Sequence, residues 1–136
     1  MRILAIFDDS DAGKIAVDVL EDLFKNGLRF DLYAVIIVKV PLLGGKKNYA
    51  RAKVRADSIG ESLKDMNLKE LTVLMGKKDV SETLDVVIPH LVVLGVKNPK
   101  KYLKIAEKYP VVVCRERREK VDFYAVTRCR VCRTIQ

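Results

Sequence analysis

The sequence predicts an α/β fold, a single mostly parallel sheet with helices on both faces and right-handed crossovers between strands. Two observations predict it. Short apolar runs alternate regularly with amphipathic segments along the chain. One of those runs, Leu91-Val92-Val93-Leu94, is uninterrupted by polar residues, as expected of a parallel strand covered on both faces. It sits in the stretch Ile88 to Lys101, IPHLVVLGVKNPKK, which leads straight into a turn at Gly95. Asn98 and Pro99 then read as an N-cap followed by proline at the first helical position. Open α/β sheets place ligands at such strand, turn and helix starts, where unpaired N–H groups and the helix dipole point.

Each element follows from local pattern. Ile3 to Phe7 is a short apolar strand, and Asp8-Asp9-Ser10-Asp11 supplies cap residues for a helix from Ala12 to Lys25. Ala16, Val19, Leu20 and Leu23 form its core face, and Asn26-Gly27 ends it. Asp31 to Val40 is a second strand, closed by Pro41, so the first elements make a βαβ unit. Pro41 to Asn48 reads as a loop with Gly44-Gly45. In the second helix Ala52, Ala56, Ile59, Leu63 and Met66 form a stripe facing the sheet. Lys47, Arg51 and Arg55 align at i,i+4 spacing on another face, read as solvated and partly relieved by Lys53 with Asp57. The sharper reading is a site for phosphate or nucleic-acid backbone.

Glu70 to Met75 is the third strand and Gly76-Lys77-Lys78 a turn. Asp79 and Glu82 have capping-box spacing for a short third helix that Pro89 terminates. After the fourth strand, Leu103, Ala106 and Tyr109 mark a brief fourth helix, Pro110 breaks it, and Val111 to Arg115 is a fifth strand. Residues 1–116 make the α/β domain and 117–136 an extension. Within the extension, Arg117 to Lys120 reads as a turn and Val121 to Thr127 as a further strand, either extending the sheet or crossing to a partner chain.

Composition limits the function classes. The 136 residues, 49% apolar and 32% charged, suit one domain with a real core. No apolar run approaches a membrane span and the first strand starts at once, so a cytoplasmic protein without a signal peptide is expected. A net charge of +8 favours anionic partners. Abundant Lys, Arg and Glu with no Trp also suit a thermophile.

With these elements in order, residues 1 to about 116 resemble the universal stress protein family. The matching pieces are RILAIFDDSDAGKIAVDVL, FDLYAVIIVKV, GKKDVSETL, PHLVVLGVKN and YPVVVCRER. The resemblance implies a Rossmann-like sheet of order 3-2-1-4-5, a homodimer joined through the fifth strand and tail, and an adenine nucleoside or nucleotide as ligand. It places Asp8 and Ser10 beside the nucleoside and Ile37 and Val38 beside the base. Nucleotide-binding members continue after the fourth strand with G-x2-G-x9-G-[ST], whose backbone N–H groups cradle phosphates. Here Gly95 matches the first glycine, Asn98 stands at the second, eleven residues separate Asn98 from Pro110, and no later Gly-Ser or Gly-Thr follows. The loop is therefore read as deleted, with ATP binding weak or lost. A nucleoside or monophosphate remains as ligand, and Lys97, Lys100 and Lys101 as attractors of an anion.

Other classes have less support. The ILAIFDDS start is also similar to response-regulator receivers, but no aspartate ends the second or third strand. Cys129 and Cys132 form a CxxC with no room for a following helix, and a Cys₃His zinc set of His90, Cys114, Cys129 and Cys132 needs the tail to fold back. No metal and no cofactor are expected. Arginines of the tail, among them Arg128, Arg130 and Arg133, suit nucleic-acid backbone or a strand whose long side chains cover an apolar edge. One histidine and no nucleophile with a base argue against an enzyme. The expected function is a non-enzymatic small-ligand or partner-binding module; the alternative is a basic nucleic-acid or anion-binding accessory protein.

Overall fold

The computed structural model describes residues 1–39, 45–75, 79–115, 121–126 and 131–134, with backbone alone at Gly45, at Met75 and in the last two strands. The elements are β1 (Arg2–Phe7), α1 (Asp11–Lys25), β2 (Asp31–Val38), α2 (Gly45–Leu63), β3 (Leu68–Met75), α3 (Ser81–Val87) and β4 (Leu91–Gly95). A 3-10 helix (Pro99–Glu107), β5 (Val111–Cys114), β6 (Val121–Val126) and β7 (Val131–Thr134) follow. The sheet order is β3-β2-β1-β4-β5-β6-β7. The first five strands are parallel in the expected order 3-2-1-4-5, and β6 and β7 join antiparallel.

Strand parity builds two cores. Ile3, Ala5 and Phe7 face one side with Ala34, Ile36 and Val93, covered by Ala16 and Leu20 of α1 and Ala52 and Ala56 of α2. Leu4 and Ile6 face the other with Val92, Leu94 and Val113, covered by Leu84 of α3 and by Tyr102 and Ala106 of the 3-10 helix. Ile3 through Phe7 are all fully buried, which explains why β1 lacks polar alternation. Each of these large side chains contributes roughly 1.5–3 kcal/mol by leaving water.

Several boundaries differ from the sequence reading. β2 ends at Val38 and β3 starts earlier, at Leu68, after Asn67 in the left-handed region (φ 57°). The fourth helix is 3-10 over nine residues. The crossover must run back along β4, five residues or roughly 16 Å at strand rise. Nine residues at 3-10 rise cover roughly 18 Å, against about 13.5 Å as an α-helix, so the tighter winding reaches the start of β5.

The Asn98 side chain makes no capping bond; Pro99 does occupy the first turn. At α3, Asp79 Oδ1 accepts the Ser81 N–H (2.9 Å) and Oγ–H (2.7 Å), and these bonds hold its carboxyl below the usual range. Val80 occupies the N-cap position there.

The tail contributes two strands where one was expected. β6 pairs with β5 of the same chain, so the β5 edge, the expected dimer seam, is covered within the protomer. Of the loop expected at 41–48, residues 45–48 instead form the start of α2, while residues 41–44, the turns at 76–78 and 117–120, and Cys129 lie outside the described residues. No helix among the described residues is long and apolar enough to cross a membrane.

Candidate functional site

The chain leaves β1 for β2 on one side and enters β4 on the other, so a crevice opens beyond the C-terminal ends of these strands. A cavity of about 430 Å³ fills it, within the size range of small-ligand sites. Asp8 and Ser10 line it from the β1–α1 turn, Ile37 from β2, Lys39 from just after β2, and Arg51 and Arg55 from α2. Lys97 and Asn98 line it from the turn after β4, and Lys101 and Tyr102 from the 3-10 helix.

Asp8 is the hinge of the arrangement. Its backbone N–H donates to Gly95 O at 3.1 Å, continuing the β1–β4 ladder by one bond. Its Oδ1 accepts the Ser10 N–H at 3.0 Å and the Ser10 hydroxyl, so that hydroxyl does not cap α1. Its Oδ2 accepts the Lys97 N–H at 2.9 Å. Both carboxylate oxygens are therefore engaged by the protein, and the turn after β4 has one N–H already committed to an internal anion.

Five of the expected site residues, Asp8, Ser10, Ile37, Lys97 and Asn98, come together in the cavity. Two do not. Val38 is fully buried and belongs to the core under α1 and α2, because adjacent strand residues face opposite sides and Ile37 takes the cavity side. Gly95 does not line the cavity; it lets α1 approach the sheet. A Cβ there would stand 2.5 Å from the Ala16 Cβ and 2.7 Å from the Ala12 carbonyl oxygen. Gly13 makes the complementary allowance, since a Cβ at that position would collide with the Asp8 carbonyl.

The basic face of α2 reads differently in three dimensions. Arg55 pairs with Asp9 at 2.8 Å and Arg51 lines the cavity, so this face borders the site instead of only meeting water. The Arg55–Asp9 pair is half exposed and stabilises by about 0.2–1 kcal/mol at most. No Lys53–Asp57 ion pair forms among the described residues. Among the described residues, five cations and two acids line the cavity. Lys39 and Tyr102 escaped the sequence reading. Tyr102 is 8% exposed, and burial, then the negative charge of Asp8, push its phenol above the usual range.

His90 has a structural partner: its Nδ1 accepts the Arg2 N–H at 2.9 Å and its own N–H returns to Arg2 O at 2.9 Å. Cys114 is fully buried, and burial pushes its thiol up to about 12. Among the described residues no three His, Cys, Asp or Glu side chains group as a metal set.

No family model matches the chain, and no curated protein matches it by sequence. Solved structures do match in fold. A protein from the universal stress protein family of Burkholderia pseudomallei superposes with a TM-score of 0.54 at 19% identity, covering 81% of this chain and 92% of that one. A deacetylase–bog complex in the biosynthesis pathway of teicoplanin superposes with a TM-score of 0.56 at 9% identity, covering 88% of this chain and 68% of that chain. The chain thus has the parallel α/β fold of a universal stress protein structure.

Proposed function

We propose that this chain is a divergent member of the universal stress protein family, a non-enzymatic binding module that takes an adenine nucleoside or its monophosphate and holds ATP weakly or not at all. The observation that carries the reading is the bond from Lys97 N–H to Asp8 Oδ2, 2.9 Å long. A phosphate-cradling turn works by presenting free N–H groups; here one of them is closed by the protein's own carboxylate. The missing Gly-[ST] end of the loop removes further donors. The apolar Ile37 and Val96, with the Tyr102 ring, leave room for a base beside the polar Asp8 and Ser10.

The module works as a cytoplasmic homodimer. With the β5 edge covered, pairing would use an outer strand of the sheet, β3 or β7. Sedimentation at several concentrations tests this. Thermal shift across adenosine, AMP, ADP and ATP tests the ligand reading: stabilisation by adenosine or AMP supports it, and stabilisation that grows with phosphate number contradicts it. The charge of +8 favours nucleic acid as the alternative. Oligonucleotide binding that falls steeply with salt would select that alternative.

A further inference from the structure

Both acids that line the cavity are already engaged by the protein. Asp8 accepts the Ser10 N–H on one carboxylate oxygen and the Lys97 N–H on the other, and Asp9 pairs with Arg55 at 2.8 Å. The remaining cations of the lining, Lys39, Arg51, Lys97 and Lys101, take part in no ion pair among the described residues. They fall into two groups. Lys39 follows β2 and Arg51 belongs to α2, whereas Lys97 follows β4 and Lys101 belongs to the 3-10 helix. β2 and β4 flank β1, so the two groups start two strand spacings apart, roughly 10 Å. α2 and the 3-10 helix also cover opposite faces of the sheet, through Ala52 on one and Ala106 on the other. Each group has an anchored neighbour. Arg51 lies one helical turn before Arg55, which Asp9 holds, and Lys101 Nζ stands 5.1 Å from the centre of the buried Tyr102 ring.

We infer that the cavity takes a small bisphosphate whose two phosphates stand at opposite ends of an uncharged body. One phosphate meets Arg51 and Lys39, and the other meets Lys97 and Lys101. The inference rests on the reading of the cavity as a small-ligand site and adds a second anionic group to the monophosphate of that reading. A guanidinium holds a phosphate through two parallel N–H bonds, and the ammonium groups add charge without fixing direction. A second phosphate joined directly to the first stays with one group of cations. Placed across the body of the ligand, it reaches the other group.

Calorimetric titration of the full chain at one ionic strength tests it. The ligands are adenosine 3′,5′-bisphosphate, ADP with its two adjacent phosphates, 5′-AMP, adenosine and fructose 1,6-bisphosphate. The expected result is adenosine 3′,5′-bisphosphate bound at least about tenfold tighter than ADP or 5′-AMP. Arg51→Ala and Lys101→Ala, both at exposed positions, each remove most of that gain, and unchanged melting midpoints show that the variants fold. Lys104→Ala, exposed on the same 3-10 helix and outside the cavity lining, leaves all affinities unchanged. ADP bound as tightly as the 3′,5′-bisphosphate, or bisphosphate binding insensitive to either cavity variant, overturns the inference; adenosine and 5′-AMP binding would then leave the nucleoside reading standing. Fructose 1,6-bisphosphate binding weakened by both variants, without adenosine binding, supports the inference and removes the adenine reading. Absence of binding by both bisphosphates overturns the inference.

Discussion

The carboxylate of Asp8 accepts the backbone N–H of Lys97 at 2.9 Å, tying the turn after β1 to the turn after β4 across the mouth of the cavity. The same carboxylate holds Ser10. Asp8→Ala removes the acceptor of all these bonds and is expected to lower stability by about 2 kcal/mol, since hydrogen bonds to a charged group are worth roughly 1.5–3 kcal/mol. Asp8→Asn keeps an acceptor and loses about half as much. Urea denaturation reads both, and equal losses would contradict a role for the charge.

The approach of α1 to the sheet predicts an order among glycine substitutions. Gly95→Ala forces Ala16 and the Ala12 carbonyl apart, and Gly13→Ala collides with the Asp8 carbonyl. Each is expected to cost about 2 kcal/mol or more, as overpacked cores do. Gly27→Ala meets nothing within 4 Å but sits at φ +95°, so its cost is the smaller backbone strain, about 1 kcal/mol. Thermal midpoints in which Gly27→Ala is the most damaging of the three would refute this packing argument.

Ile88 predicts a stabilising change to a less apolar residue. It ends α3 at φ 48°, a conformation unfavourable for a β-branched residue, and is 57% exposed. Ile88→Gly is expected to stabilise by about 0.5–1 kcal/mol, because relief of strain exceeds the little burial lost. Arg2 holds this end in place, with its guanidinium on Ile88 O at 3.0 Å and 3.1 Å and on Val87 O at 3.1 Å. Arg2→Ala is expected to destabilise. A lower midpoint for Ile88→Gly would show that the turn is not strained.

Cys114 predicts a pH dependence. Burial raises its thiol to about 12, whereas an unfolded thiol titrates near ~8.5. Between those values the unfolded chain binds fewer protons, so stability falls as pH rises. The contribution is fully present below about pH 8.5 and is lost progressively toward about 12. In a Cys129→Ser, Cys132→Ser background the native thiol should resist alkylation at about pH 8 and react once the chain unfolds. Alkylation of the native protein at the unfolded rate would contradict this burial.

Much of this fold was legible because its signals are local. Apolar runs such as Leu91 to Leu94 and stripes such as Ala52, Ala56 and Leu63 report their own burial. What escaped depends on partners distant in sequence. Ile37 and Val38 are both apolar at a strand end, and only the packing decides which faces the cavity. The i,i+4 line of Lys47, Arg51 and Arg55 shows a basic helix face without showing that Asp9 and the cavity lie opposite it. Tyr102 lies one residue from the expected Leu103, and 3-10 winding shifts which side chains turn inward. In the tail, arginines alternating with Val and Cys obscured the second strand.

The central claim is that this cavity takes a small ligand and has lost the cradle for a triphosphate. Calorimetric titration of the full chain with ATP and with AMP, in one buffer at one ionic strength, tests it directly. The account predicts AMP binding at least about tenfold tighter than ATP. Micromolar ATP binding, tighter than that of AMP, would contradict it.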